Sequence, residues 1–262
     1  MTAPSAVPVV TLPSGDHMPM VGFGTWKLRA DQARASVVAA LHTGYRHIDT
    51  ATMYANEREI GHALRDSGID RSEIFLTTKI RPSDAGQEAA ILASSLDQLG
   101  TDYLDLWLIH WPPSRKGASR MLWNALLELQ AGGQVRNVGV SNYSLSEIDE
   151  LTRDSGQAPV VNQIDWGPTL YDARVLAGHA ERGIAVEGYS GLKNTNLDDP
   201  VLAKIAAAHG VTTAQVVLRW HLEHGITVIP KSAHPERIAT NFDLFSFSLS
   251  PDEVASLDGL AR

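Results

Sequence analysis

Short apolar runs and segments with helical spacing alternate along most of this chain. Each run has the length and composition of a buried strand, and the segment after it repeats apolar residues about every 3.6 positions. Strands that alternate with helices form parallel sheets. The pattern predicts eight strands, at residues 21–24, 45–49, 74–79, 104–110, 135–140, 160–164, 184–189 and 227–230. Eight parallel strands separated by helices favour closure, so we expect an α/β protein with a single (β/α)8 barrel.

Several elements are predicted outside this repeat. Residues 7–20 have the pattern of a β-hairpin with turn residues at 13–16, which we expect to act as a plug or a lid. Asn56 is a plausible N-cap for a helix from 57 to 65, and Ser250 with Glu253 predicts a capping box. Additional helices are expected at 200–208, 213–224 and 235–241. With no linker or low-complexity segment, residues 1–262 are interpreted as one domain.

Polar side chains concentrate where the predicted strands end. Asp49, Lys79 and His110 end the second, third and fourth strands, and the later strands end on or beside Ser141, Asn142, Gln163, Ser190, Lys231 and Ser232. The carboxyl ends of parallel barrel strands share one edge, where active sites of this architecture are found. A single histidine or Lys-Asp pair is more often structural than catalytic, so the interpretation depends on their joint occurrence.

Composition limits the classes of function. The chain has 262 residues and no cysteine, so neither disulfides nor cysteine metal sites are expected. The formal net charge of −8 opposes nonspecific binding to nucleic acid. Neither a signal peptide nor a membrane span is indicated, and we expect a cytoplasmic protein. The ten histidines include no His-Glu-x-x-His pattern, so no metal site is predicted and a metal-dependent hydrolase is disfavoured.

The sequence around these polar residues matches a known family in the expected order. The stretch from Gly44 to Ala51, followed by Tyr54, Asn56 and Glu57, is similar to the signature of the aldo-keto reductase family. Further matching segments are Gly22-Phe23-Gly24-Thr25-Trp26, Leu108-Ile109-His110-Trp111-Pro112, Gly139-Val140-Ser141-Asn142, Val161-Asn162-Gln163-Ile164, Gly188-Tyr189-Ser190 and Val228-Ile229-Pro230-Lys231-Ser232. The resemblance implies reduction of a carbonyl by hydride from a nicotinamide, with a catalytic tetrad of Asp49, Tyr54, Lys79 and His110.

The implied roles agree with the chemistry of carbonyl reduction. Hydride arriving at the carbonyl carbon leaves negative charge on the oxygen, so a proton donor and fixed dipoles must wait there. Tyr54 would be the donor, and His110 would orient the carbonyl. Because a free phenol titrates at about 10, we expect the nearby Lys79 ammonium to lower the pKa of Tyr54. Asp49 would keep Lys79 charged and in place.

The resemblance also implies a non-Rossmann site for NADPH or NADP+. Gly22 and Gly24 lack the third glycine of a Rossmann fingerprint, whereas Lys231 and Ser232, with Arg237 and Asn241 on the next helix, suit a phosphate monoester. In the family, that segment binds the 2′-phosphate and the adenine. Ser141, Asn142 and Gln163 are expected to hold the carboxamide, and Tyr189 to stack on the nicotinamide. The remaining expected cofactor contacts are Gly24, Thr25, Trp26, Asp49, Ser190, Gly191 and Leu192.

Substrate identity is less constrained by the sequence. Expected substrate contacts are Trp26, Tyr54, His110 and Trp111. The short segment after the fourth strand and the end of the chain at Arg262 predict an open pocket for small carbonyls, dicarbonyls or diketo sugars. Gly167 and Arg81 depart from the histidine and tryptophan that are usual in the family. The alternative hypothesis is a cofactor-binding regulatory or accessory subunit with little turnover, although the intact tetrad favours an enzyme. A monomer is expected.

Overall fold

The computed structural model describes residues 7–114 and 117–261. Two short strands, β1 (Val9–Thr11) and β2 (His17–Pro19), pair antiparallel as the predicted hairpin. Eight further strands form one parallel sheet in chain order. They are β3 (Phe23–Gly24), β4 (His47–Asp49), β5 (Phe75–Ile80), β6 (Leu104–Ile109), β7 (Val135–Ser141), β8 (Val161–Asp165), β9 (Ala185–Tyr189) and β10 (Thr227–Val228).

Backbone bonds connect the first strand of this sheet to the last. Val21, just before β3, forms a parallel bridge with Val228 on β10. The N–H of Gly22 donates to the carbonyl of Val228 at 2.8 Å, and the N–H of Gly24 donates to the carbonyl of Pro230 at 3.2 Å. The sheet is therefore curled so that its two edges meet through these residues. This arrangement is consistent with the predicted (β/α)8 barrel.

Helices follow most of the strands and cover the outer face of the sheet. They are α1 (Ala30–Thr43), α2 (Glu57–Asp66), α3 (Glu88–Leu99), α4 (Ala118–Ala131), α5 (Leu145–Ser155), α6 (Ala173–Glu181), α7 (Pro200–His209), α8 (Thr213–Glu223), α9 (Pro235–Phe242) and α10 (Pro251–Asp258). Within residues 7–114 and 117–261, no single helix is long and apolar enough to cross a membrane; only α7 and α8 pass that test together, as a pair bent by 89°.

Two N-terminal caps were predicted, and one of them forms. The Ser250 hydroxyl accepts a hydrogen bond from the N–H of Glu253, whose carboxylate in turn accepts from the N–H of Ser250, so the capping box of α10 is confirmed. Asn56 stands at the N-cap position of α2, but its side chain makes no capping bond there. Its amide instead donates to the carbonyls of Thr25 at 3.0 Å and Leu28 at 2.9 Å. The predicted N-cap position is therefore confirmed, but the side chain does not cap the helix, because the β3–α1 loop uses this amide.

The hairpin packs against the interior of the sheet at the amino ends of the strands. Met18 is fully buried and clusters with Leu106 and Leu108 of β6. The Asn137 side-chain amide donates to the Asp16 carboxylate at 2.7 Å, which attaches the hairpin to β7. The hairpin is therefore a plug at the end of the sheet away from the polar strand ends.

Some strand boundaries differ from the predicted ones, and side-chain packing explains the difference at the second strand. The second predicted strand began at residue 45, whereas β4 begins at His47. Tyr45 lies outside the strand because its ring packs against Phe242 at 4.6 Å and its hydroxyl donates to the carbonyl of Ile238 at 3.1 Å. The eighth predicted strand extended to 230, whereas β10 ends at Val228. Phe242 and Ile238, which contact Tyr45, belong to α9 and lie far from it in the sequence.

Candidate active site

A fully buried ion pair lies at the carboxyl ends of β4 and β5. The Lys79 ammonium donates to both carboxylate oxygens of Asp49 at 2.7 Å and to the carbonyl of Thr50 at 2.9 Å. Burial by itself would lower the pKa of Lys79, but the charge of Asp49 and the phenol of Tyr54 raise it more, so the net pKa lies above the ordinary value. Lys79 is therefore a fixed positive charge at neutral pH.

Tyr54 stands above this charge on a short 3₁₀ turn that follows β4. The Thr52 hydroxyl donates to the carbonyl of Lys79 at 3.0 Å, which attaches the turn to β5. The Lys79 nitrogen lies 5.2 Å from the centre of the Tyr54 ring. Burial raises the pKa of Tyr54, and this outweighs the lowering effect of Lys79. The net direction is thus the opposite of the predicted lowering, and the phenol keeps its proton at neutral pH.

His110 follows β6 directly and completes the predicted tetrad. Its ring stacks on Trp111 with centres 4.1 Å apart and meets the edge of Tyr54 at 5.7 Å. Burial, followed by the charge of Lys79, lowers the pKa of His110 far below its ordinary value, so the imidazole is neutral. Within the described ranges, its buried Nδ1 has no hydrogen-bond partner. Nε2 is therefore the nitrogen available to a group in the adjoining cavity.

A second polar group lies at the ends of β7, β8 and β9. The Ser141 hydroxyl donates to the carbonyl of Gln163 at 2.8 Å. The Asn142 amide donates to the carbonyl of His110 at 3.2 Å, and its oxygen accepts from the Tyr189 hydroxyl at 2.7 Å. These bonds fix the side chains of three predicted cofactor contacts, Ser141, Asn142 and Tyr189, next to the histidine.

Both groups open into a cavity of about 550 Å³. The predicted site residues that line it are Gly24, Thr25, Trp26, Asp49, Tyr54, His110, Trp111, Ser141, Asn142, Gln163, Tyr189, Ser190, Gly191, Leu192 and Lys231. Lys79 lies below its floor and contacts it through Asp49 and Tyr54. Besides Lys79, three predicted residues do not line the cavity, namely Ser232, Arg237 and Asn241.

The predicted phosphate segment lies next to the cavity, around the start of α9. Lys231 and Arg237 are exposed, and neither forms an ion pair with another residue in the described parts of the chain. Ser232 is buried, and its hydroxyl oxygen accepts from the N–H of His234 at 3.1 Å. Asn241 is buried on α9. Two unpaired cations beside a helix start leave positive charge available to an anion.

Sequence reasoning missed several side chains that line or support the cavity. The Lys27 nitrogen lies 4.4 Å from the centre of the Trp26 ring, and the Lys193 nitrogen lies 5.8 Å from it. Both lysines are next to predicted residues in the sequence, so extending the motifs by one position would have included them. Glu187 lies two residues before Tyr189 and thus on the same face of β9.

Strained backbone conformations concentrate in the loops of this site. Four residues have φ in the left-handed region that residues other than glycine rarely adopt. They are Lys27, Ala55, Asn142 and Ser190, with φ of 65°, 54°, 63° and 59°. Each residue either lines the cavity or directly follows one that does. Such conformations persist where the surrounding contacts over-determine them, which is common at functional sites.

The two departures from the family pattern have separate structural settings. Arg81 is bound to Asp84 through two hydrogen bonds of 2.8 and 2.9 Å, outside the cavity. Gly167 packs against Gly191, so that a Cβ at this position would lie 3.2 Å from the Gly191 backbone. A larger residue there would displace the loop that carries Gly191. In the described ranges, no group of three or more histidine, aspartate or glutamate side chains could hold a metal ion.

Residues 20–262 match the family model described as the aldo/keto reductase family. The chain belongs to the aldo-keto reductase family. The resemblance inferred from the sequence is thereby confirmed. An aldo-keto reductase of Mycolicibacterium smegmatis is 44% identical over 97% of this chain and 93% of its own length. A 2,5-diketo-D-gluconic acid reductase B of a Corynebacterium species is 40% identical over 98% of this chain and 94% of its own.

Solved structures of aldo-keto reductases have the same fold. The Bombyx mori aldo-keto reductase, crystallised in complex with NADP, superposes with a TM-score of 0.92. It is 33% identical, and the alignment covers 98% of this chain and 94% of that one. Since the alignment spans nearly both chains, the two proteins share the curled parallel sheet and its surrounding helices.

Proposed function

We propose that this protein reduces small aldehydes and ketones to alcohols with NADPH, using Tyr54 as the general acid. One observation carries the proposal: a protonated phenol, a neutral imidazole and a buried ammonium converge on one cavity. The ammonium of Lys79 is bound to both oxygens of Asp49 at 2.7 Å, and it lies 5.2 Å from the Tyr54 ring. Carbonyl reduction needs a proton donor and preorganised polar groups near the oxygen that gains charge, and this set supplies both.

The residues present fit a nicotinamide cofactor. Gln163 lines the cavity while its NH₂ group is engaged with buried acids, so its carbonyl oxygen remains for a donor such as a carboxamide. Ser141 and Asn142 lie beside it, and Tyr189 offers a ring. Lys231 and Arg237 would bind the phosphate that distinguishes NADPH from NADH. When bound, the cofactor supplies the hydride.

The chain's own groups would then protonate the carbonyl oxygen and stabilise the charge that develops there. The Tyr54 hydroxyl donates its proton to that oxygen as negative charge develops there. Lys79 stabilises the phenolate that this transfer leaves, and because it is already fixed by Asp49, no reorganisation is needed. His110, being neutral, donates through Nε2 and orients the carbonyl without adding a second positive charge.

The test is the loss of reduced-nicotinamide absorbance with a panel of carbonyls, using NADPH and NADH in parallel. Wild-type protein should oxidise NADPH when an aldehyde is added. Tyr54→Phe removes only the hydroxyl and should reduce turnover by roughly 10²–10⁴-fold while NADPH still binds. Cofactor binding is checked separately by quenching of tryptophan fluorescence.

Two outcomes would contradict the proposal. Near wild-type turnover in Tyr54→Phe would remove the phenol from the mechanism. Tight NADPH binding without turnover of any carbonyl would instead support an accessory or regulatory role.

A further inference from the structure

A buried carboxyl group lies directly beneath the candidate site. Glu187 on β9 is fully buried. It is the register partner of Gln163 on β8 and of Thr227 on β10. Register partners in a parallel sheet direct their side chains to the same face. These three side chains therefore share the interior face on which Asp49 also lies.

The amide of Gln163 joins the two acids on this face. Its nitrogen donates to Asp49 Oδ2 at 2.8 Å and to Glu187 Oε1 at 3.0 Å. An amide NH₂ has two hydrogens, so this group is fully used. A flipped amide would place its oxygen against the Asp49 carboxylate, which can only accept, and would leave Asp49 Oδ2 without this donor. The pair of acids thus determines that the carbonyl oxygen of Gln163 faces the cavity.

We propose that Glu187 is a positioning residue that, together with Asp49, holds the Gln163 amide with its carbonyl oxygen toward the cofactor. This inference rests on the proposed function, because the carbonyl is useful only if a carboxamide N–H is there to meet it. Glu187 touches neither the cavity nor the reacting atoms, and it acts through Gln163.

The surroundings of Glu187 favour its neutral form. The charged and titratable groups near it are Asp49 on β4, Lys79 on β5 and the phenol of Tyr54. Burial and the charge of Asp49 raise the pKa of Glu187 to about 8, although Lys79 opposes them. In addition, Glu187 Oε2 has no hydrogen-bond partner in the described ranges. An ionised oxygen left unpaired in the interior is costly, so the proton is retained at neutral pH.

Ionisation of Glu187 would change the field at the reacting groups. A second negative charge near Lys79 would offset part of the positive potential that stabilises the Tyr54 phenolate. Reduction should therefore slow as pH rises through the pKa of Glu187, and the slowing should disappear when this residue cannot ionise.

The kinetic experiment compares wild type with Glu187→Gln and Glu187→Leu across this pH range. Glu187→Gln keeps an oxygen that can accept a hydrogen bond from Gln163, so its turnover at neutral pH should stay within about threefold of wild type. The decrease in kcat that wild type shows near pH 8 should be absent from this variant. Glu187→Leu removes the acceptor and should lower kcat by roughly tenfold and weaken NADPH binding.

The matched control is a second buried glutamate. Glu57 accepts hydrogen bonds from Thr78 at 2.7 Å and Ser95 at 3.2 Å, whereas the Gln163 amide donates to Asp49 and Glu187. Glu57→Gln should leave the alkaline fall of kcat unchanged. Equal effects of the Glu57 and Glu187 variants on this fall would overturn the proposal.

A second readout needs no turnover. The side-chain amide signals of Gln163, assigned by their loss in Gln163→Ala, should titrate in the cofactor-free wild type with a midpoint near pH 8. They should not titrate in Glu187→Gln. If Glu187 had only a structural role, its substitution would lower the melting temperature and leave kcat, the pH profile of kcat and these amide signals as in wild type. That result would overturn the proposal. If wild type reduces no carbonyl, the proposed function fails, while this titration still decides whether Glu187 holds Gln163.

Discussion

Replacement of Lys79 by methionine should affect both stability and catalysis. Methionine preserves much of the side-chain length but removes a fully buried ammonium that donates to Asp49 and Thr50. Among the described residues, the Asp49 carboxylate would keep only the hydrogen bond from Gln163, at 2.8 Å. The variant therefore leaves a buried charge without its counter-ion, in the interior of the sheet.

Breaking a buried ion pair by removing one partner costs about 3–5 kcal/mol. The remaining bond from Gln163 favours the lower half of this range. For a chain of this size, 1 kcal/mol shifts the melting temperature by roughly 2–4 °C, so we expect a decrease of about 6–16 °C. Because the pKa of Lys79 is raised in the folded protein, the stabilising pair is complete at neutral pH and is lost only as pH rises through that pKa.

The assay is a thermal melt at neutral pH beside NADPH-dependent turnover. Lys79→Met should lose at least about 10²-fold in kcat, because Tyr54 no longer has a cation to stabilise its phenolate. Adding Asp49→Asn removes the orphaned charge, so the double variant should regain most of the lost melting temperature and none of the activity. A single variant that melts within about 2 °C of wild type would refute the reasoning. So would a double variant as unstable as the single one, since the loss would then come from packing and not from charge.

Three further predictions follow from the same geometry. Arg237→Ala should raise the dissociation constant for NADPH by roughly tenfold or more, and barely change that for NADH, since a charge-assisted bond is worth about 1.5–3 kcal/mol. Fluorescence titration with both cofactors tests this, and equal losses of affinity for the two cofactors would indicate adenine stacking alone. The pKa of His110 is lowered by burial and by Lys79, so the unfolded chain binds the extra proton. Acidification from about pH 7 to about pH 5 should therefore lower the melting temperature of wild type more than that of His110→Gln. Equal decreases in the two melting temperatures would contradict this. Trp26, Met53 and Trp111 are 43%, 45% and 42% exposed at the mouth of the cavity, so discrimination among small aldehydes, dicarbonyls and quinones should be weak. Steady-state constants across about ten carbonyls test this, and a single substrate preferred by about a thousandfold would indicate a shaped pocket.

The sequence by itself determined the eight strands and the edge at which polar residues gather. Parallel strands covered on both faces are continuous apolar runs, so a charged or polar residue at the end of a run is conspicuous. Asp49, Lys79 and His110 are all of this kind, and the structure brings them together. The hairpin could be predicted too, because its turn chemistry is local.

Only the tertiary structure decided the charge states in the site. Lys79 was expected to lower the pKa of Tyr54, and it does act in that direction, but burial by distant segments raises the pKa more. Burial is a sum over neighbours from many parts of the chain, and no local pattern contains that sum.

The roles of Asn56 and Glu187 were likewise decided by contacts distant in sequence. Asn56 has the position of an N-cap, yet its amide binds carbonyls 28 and 31 residues away. Glu187 looks like an ordinary polar residue in a strand until its neighbours in the sheet are known. Its partner Gln163 is 24 residues away, and Asp49 is a further 114 from that residue. Sequence periodicity gives the face on which a side chain lies, whereas closure of the sheet decides which side chains meet on that face and which of them keep a proton.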